Sequence, residues 1–190
     1  CDWSSDVCSS DLGARVVCAA RTINDGDHFL EGSLSNTVNR IEANGGVAIA
    51  VAANVSAEED CHRLVDTAIE RFGRVDILVN NAALNYYVPT VDYEVKKWMR
   101  AFAVNVHGPF MLSKFVLPGM IERNSGAIIN ISSGAAIGPG RGPYEIEGHG
   151  GTMYGSTKAA LERMTQGLAQ EVQHHNIAVS CYSPSQEIGR

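Results

Sequence analysis

The sequence contains no run of apolar residues long enough to cross a bilayer. Its longest low-polarity stretch, Val47 to Ala53, falls well short of the roughly 20 residues a spanning helix needs. No excess of positive charge is present either. Fifteen Lys and Arg stand against 21 Asp and Glu, for a net charge of −6, so the electrostatic footprint of a nucleic-acid binder is missing. Five cysteines, Cys1, Cys8, Cys18, Cys61 and Cys181, form no CxxC pair and give an odd count at irregular spacings. That excludes a disulfide scaffold and a zinc site and points to a reducing, cytoplasmic compartment. The six histidines show no metal-ligand spacing, and no metal is expected. No basic segment precedes an apolar one at the N-terminus, where Asp2 and Asp6 stand instead, so the sequence carries no secretory signal pattern. What remains is a chain of 190 residues, 45% hydrophobic, suited by length and composition to one globular domain.

Apolar periodicity gives that domain its class. Short β-branched or apolar runs recur at 14–19, 47–55, 75–79, 127–131 and 177–182. Between them lie helical patterns. Leu34, Val38 and Ile41 precede the stop signal Asn44-Gly45-Gly46. Ser56-Ala57-Glu58-Glu59 reads as a capping box before Leu64, Val65, Ala68 and Ile69. A long helical pattern covers about 93–117, with Pro109 expected to kink or divide it, and another covers 153–173. Alternating strands and helices predict a doubly wound parallel sheet, with ligands bound beyond the carboxyl ends of the strands.

The residues that follow those strands therefore matter most. Tyr154 and Lys158 are spaced i, i+4 and share one helix face, where an ammonium would favour the phenolate. Taken alone, one Tyr-x-x-x-Lys arises by chance in roughly one such chain in eight. Ser132 and Ser133 follow the 127–131 run, where a hydroxyl can polarise a carbonyl or simply start a turn. Asn80-Asn81-Ala82-Ala83 follows the 75–79 run, as an Asn-rich turn or as the floor of a flat ligand's site. Asn105, a poor helix former between Val104 and Val106, needs a buried partner or a function. Arg21 ends the first run, where it is either solvated or set to meet an anionic ligand.

In this order the segments resemble the short-chain dehydrogenase/reductase family over roughly residues 13–185. The resemblance rests on Asn80-Asn81-Ala82-Ala83, Asn105, Ser133, Tyr154-x-x-x-Lys158 and Ser183-Pro184. It implies a Rossmann-like fold and an oxidoreductase that moves a hydride between a nicotinamide cofactor and a small alcohol or ketone. Tyr154 would be the general acid/base. Lys158 would lower the Tyr154 pKa and hold the nicotinamide ribose, Ser133 would orient the substrate oxygen, and Asn105 would hold a relay water. Asn54, Val55, Asn81, Ala82, Ala83 and Pro184 would line the cofactor cleft. Arg21 would favour NADP, with NAD possible. The family's habit is a homodimer or homotetramer formed through helices at 91–117 and 152–173.

The sequence also departs from the family pattern. The family's Gly-x-x-x-Gly-x-Gly phosphate loop does not occur. Ala83 and Ser185 replace glycines, and Asn54 replaces an aspartate. Twenty-one positions separate Ser133 from Tyr154, against roughly a dozen in typical members. The extra segment 138–151 is expected over the substrate side, and the loop 22–32 is also long. The first twelve residues and 187–190 read as non-native tails that resemble translated sequencing-adapter DNA. These features predict a partial domain over 13–186 without its first strand, phosphate loop and C-terminal part. The alternative function is accordingly a non-catalytic fragment or a nucleotide-sensing remnant.

Overall fold

In a computed structural model, residues 13–23, 33–138 and 151–184 are described. The segments at 1–12, at 139–150 and at 185–190, and most of the 22–32 loop, lie outside the described residues.

The chain alternates strand and helix as its periodicity predicts. Strands β1 (Arg15–Ala20), β2 (Val47–Ala52), β3 (Ile77–Asn80), β4 (Gly126–Ile131) and β5 (Ile177–Tyr182) are separated by helices α1 (Leu34–Ala43), α2 (Glu58–Phe72), α3 (Val95–Phe102), α4 (Gly108–Arg123) and α5 (Thr152–Val172). Every strand pairing is parallel: β1 with β2, β3 with β4, and β4 with β5. The sheet is divided into β1-β2 and β3-β4-β5, because no strand among the described residues is hydrogen-bonded between β1 and β3.

One hydrophobic core spans both parts. Val51 of β2, Ile128 of β4 and Ile177 of β5 pack with Cys61, Leu64 and Val65 of α2 and with Leu112, Val116 and Met120 of α4. Ile128 and Met120 are fully buried, and burial at about 1.5–3 kcal/mol per large apolar side chain makes this cluster the main source of stability. A smaller cluster, Cys18, Leu34, Ile41 and Ala48, packs α1 on the opposite face of β1-β2. Helices therefore cover both faces, as a doubly wound sheet requires. Ile77 and Val79 of β3 are 59% and 41% exposed, because no helix among the described residues covers their face.

Two local expectations are corrected. The 93–117 pattern is two helices joined by a π-helical turn over Ala103–His107, with Pro109 in the first turn of α4 directly after it. The second correction concerns Ser56, which does not cap α2. The N-cap position is Ala57, without a side-chain bond, while the Ser56 hydroxyl donates to Asn54 Oδ1 at 2.8 Å. The acidic first turn, Glu58, Glu59 and Asp60, stabilises α2 instead by facing its positive dipole end. At the start of α4, Gly108 approaches the neighbouring loop so closely that a Cβ there would lie 2.8 Å from the Val55 carbonyl oxygen.

Candidate active site

All the cofactor and catalytic candidates from the sequence lie at one edge of the sheet. Arg21 follows β1, Asn54 and Val55 follow β2, and Asn81, Ala82 and Ala83 follow β3. Ser133 follows β4, and Pro184 follows β5. The common placement is a consequence of parallel strands, whose carboxyl ends all point the same way.

Helix α5 brings Tyr154 and Lys158 to that edge. Lys158 is 2% exposed. Its Nζ lies 5.5 Å from the centroid of the Tyr154 ring and donates to the Ile131 carbonyl at 2.6 Å. Burial holds the Lys158 ammonium below its usual pKa. The Tyr154 phenol is held above its ordinary value, first by burial and then by the neighbouring Tyr87 phenol, with a hydrogen bond to Ser133 acting in the opposite direction. The Lys158 ammonium thus bonds the end of β4 and lies beside the Tyr154 ring.

Ser133 is the first residue of the turn beyond β4. Its Oγ accepts from the Ala135 N–H at 3.2 Å, which opens the 3-10 turn Gly134–Ala136. Gly155, directly after Tyr154, packs so tightly against this turn that a Cβ would meet the Ala135 carbonyl oxygen at 2.9 Å. Gly155→Ala is expected to be destabilising by about 1–3 kcal/mol despite alanine's better helix propensity, because the obstructing atom is backbone. A thermal melt no lower than the parent's would show that the turn yields.

Asn105 lies in the π-helical turn and is 1% exposed. Its Oδ1 accepts from the Leu84 N–H at 2.7 Å, while its Nδ2 donates to the Leu84 carbonyl at 2.8 Å and to Thr157 Oγ1 at 3.0 Å. The side chain thus clamps the loop after β3 to α5, with both Nδ2 hydrogens and one Oδ1 lone pair bonded to protein. For the relay water that the resemblance implies at Asn105, the side chain has only the second Oδ1 lone pair left.

Sequence reading missed the partners. Thr157 stands inside the Tyr-x-x-x-Lys motif, where its burial could not be read. Asn130 stands within an apolar strand run, yet it accepts from Asn80 Nδ2 at 2.8 Å and donates to Thr165 Oγ1 at 2.8 Å. An Asn inside an otherwise apolar run is the signal for such a network.

The site suits a nicotinamide dinucleotide in several respects. Arg21, Asn54, Asn81, Ala82 and Ala83 are exposed along the edge, and the alanines leave room for a flat group to approach. Asn80 Oδ1 is buried there without a hydrogen-bond partner, an orphaned acceptor at the end of β3. Asn54 Oδ1 is already used in the turn with Ser56, so only its Nδ2 remains for a ligand. No cluster of three potential metal ligands occurs among the described residues.

Comparison with known proteins bears on the family and the fold. The model of the short chain dehydrogenase family matches residues 11–186. A short chain dehydrogenase of Pseudocercospora fijiensis is 35% identical over 174 residues, which is 90% of this chain and 51% of that protein. The human dehydrogenase/reductase SDR family member 4 is 32% identical over 186 residues, 94% of this chain and 63% of that protein. The chain therefore spans between half and two thirds of the length of these relatives. Among solved structures, a metagenomic short-chain oxidoreductase in complex with NADP superposes with a TM-score of 0.81 at 27% identity, covering 96% of this chain and 76% of that one. An NAD+-bound xylitol dehydrogenase superposes with a TM-score of 0.82 at 26% identity, covering 95% and 64% respectively.

Proposed function

The chain belongs to the short chain dehydrogenase family, and from that membership we propose that the protein interconverts a small alcohol and its carbonyl compound with NADP(H). The observation that carries this reading is the gathering of Tyr154, the buried Lys158 ammonium 5.5 Å from its ring, and Ser133 at the carboxyl edge of the sheet. In the reducing direction Tyr154 gives its phenolic proton to the substrate oxygen, and in the oxidising direction it takes that proton back. The Ser133 hydroxyl donates to the same oxygen and fixes the face presented. Lys158, with N–H groups left beyond its bond to Ile131, would hold the ribose hydroxyls. A bound nicotinamide supplies or accepts the hydride at the substrate carbon, which is the cofactor's own chemistry.

The preference for NADP rests on Arg21, exposed directly after β1. A guanidinium there pairs with a ribose 2′-phosphate, a charge-assisted bond of about 1.5–3 kcal/mol. Arg21→Ala is expected to weaken NADPH binding by about tenfold or more while leaving NADH binding nearly unchanged. Equal losses for both cofactors in a fluorescence titration would remove the preference.

Assembly and location follow the same reading. Val95 and Met99, four apart on α3, are 75% and 60% exposed, and Val91, in the turn before that helix, is 90% exposed. These exposed apolar residues support a homodimer or homotetramer through this helix. Cys18, Cys61 and Cys181 are free thiols, which supports a reducing, cytoplasmic setting. No helix among the described residues is long and apolar enough to cross a membrane.

A second reading, nucleotide binding without turnover, is favoured by one observation: the Lys158 ammonium donates to the Ile131 carbonyl, while burial holds the Tyr154 phenol above its ordinary pKa. Both readings are tested by following reduced-nicotinamide absorbance over a panel of ketones and aldehydes, alongside an NADPH titration. Turnover supports the enzyme. Binding without turnover supports the sensor, and neither overturns both.

A further inference from the structure

We propose that Ser132 and Glu162 form a strap that sets the spacing between Ser133 and Tyr154, which makes Glu162 a positioning residue for the reaction. This rests on the enzymatic reading above.

Three consecutive residues at the end of β4 each grip α5. Asn130 Nδ2 donates to Thr165 Oγ1 at 2.8 Å, the Ile131 carbonyl accepts from Lys158 Nζ at 2.6 Å, and Ser132 Oγ donates to Glu162 Oε1 at 2.5 Å. The last bond is the shortest of the three. It is also the nearest of the three to the reacting groups, because Ser133 is the next residue in the chain. Glu162 stands one turn beyond Lys158 and two turns beyond Tyr154 on the same helix face. The strap therefore links the residue before the proposed substrate-orienting hydroxyl to the helix that carries the proposed acid.

Ser132 cannot move independently of this link. It is 3% exposed, and its N–H donates to the Tyr182 carbonyl at 2.8 Å, which ties it to β5 on the other side. Glu162 is half-buried, whereas an acidic residue with no role would extend into water. Its surroundings are those of the site. Glu162 and Lys158 act with opposite signs on the Cys181 thiol, so both charges flank the same point on β5. Thr165 Oγ1, 3.1 Å from Cys181 Sγ, completes the group. With the strap broken, the residue before Ser133 loses its side-chain link to α5; what remains is Asn130 and the Ile131 carbonyl behind Ser133 and the packing of Gly155 on the turn beyond it. The serine is then held less firmly toward Tyr154.

The test compares Glu162→Ala, Ser132→Ala, their double variant and Glu162→Gln in the full chain. Far-UV circular dichroism checks that each is folded. The ionisation midpoint of Tyr154 is read as the absorbance difference from the corresponding Tyr154→Phe protein, and kcat and KM are measured where turnover is found. Glu162→Ala and Ser132→Ala should each raise the Tyr154 midpoint, because the lowering bond from Ser133 is loosened. Each should cut kcat by about tenfold, the effect of one bond to a charged group, with KM changed by less than about twofold. The double variant should be no worse than either single one, and Glu162→Gln, which retains an acceptor oxygen, should restore most of the rate. A folded Glu162→Ala or Ser132→Ala with an unchanged midpoint, or losses that add in the double variant, would overturn the strap. The midpoint needs no turnover, so failure of the enzymatic reading leaves this test decisive.

Discussion

Tyr154→Phe is expected to lower kcat by about two to four orders of magnitude, the usual worth of a positioned general acid. Binding of NADPH should be retained. Only one oxygen is removed, and the ring that packs beside Lys158 remains. The pH dependence of the parent should show the sign of the Tyr154 shift. Burial holds the phenol above its ordinary value, so carbonyl reduction, which needs the protonated form, should persist to a pH above the usual tyrosine range and then fall. Alcohol oxidation should rise over the same interval. Stability has a matching sign. A phenol whose folded pKa is raised contributes stability that is present below its unfolded pKa and lost as pH climbs through the folded one. A Tyr154→Phe protein that turns over at the parent rate on an accepted substrate would eliminate the mechanism.

Asn105→Ala is expected to have the largest effect on stability, about 3–5 kcal/mol. The variant leaves the Leu84 N–H, the Leu84 carbonyl and Thr157 Oγ1 without their partner around a residue only 1% exposed. Each unsatisfied buried group costs on the order of 1–3 kcal/mol, partly recovered where Leu84 reaches water. Thr157 still donates to the Tyr154 carbonyl at 2.8 Å and limits the loss on the helix side. Chemical denaturation should therefore show a lower midpoint with an unchanged slope, since the surface exposed on unfolding is the same. Asn105→Asp should fall between, because it keeps the acceptor for the Leu84 N–H and loses the two donated bonds. Were Asn105→Ala as stable as the parent, the clamp would contribute nothing, and a role in chemistry would have to explain this residue.

Both residues were visible as candidates from spacing and type, yet their roles came apart in the fold. Tyr154 and Lys158 are four apart, and helical geometry alone places them on one face. The direction in which a lysine's four-carbon stem points is not a property of spacing. The fold sends its ammonium to the Ile131 carbonyl, and burial of the phenol holds Tyr154 above its ordinary pKa. Asn105 announced itself as a polar residue among apolar neighbours, which predicts a partner without naming it. Leu84 lies 21 residues away and Thr157 lies 52 away, and only the packing of α5 on the loop after β3 joins them. The π-helical turn that carries Asn105 was likewise beyond a pattern reading, which assigned the interruption to Pro109.

By itself the sequence determined the alternation of parallel strands and helices, their order, and the edge at which the polar residues collect. Those features follow from side-chain period and from the rule that parallel strands end together, both local or topological consequences of residue type. The tertiary structure alone decided which polar groups meet: Asn80 with Asn130, Asn130 with Thr165, Ser132 with Glu162, Asn105 with Thr157. It also decided that the sheet is divided between β1 and β3 and that one face of β3 is left bare. The physical reason is common to all of these. A hydrogen bond or a ladder pairing depends on atoms placed within a few tenths of an ångström by elements distant in sequence. Composition and periodicity constrain only which face each residue presents.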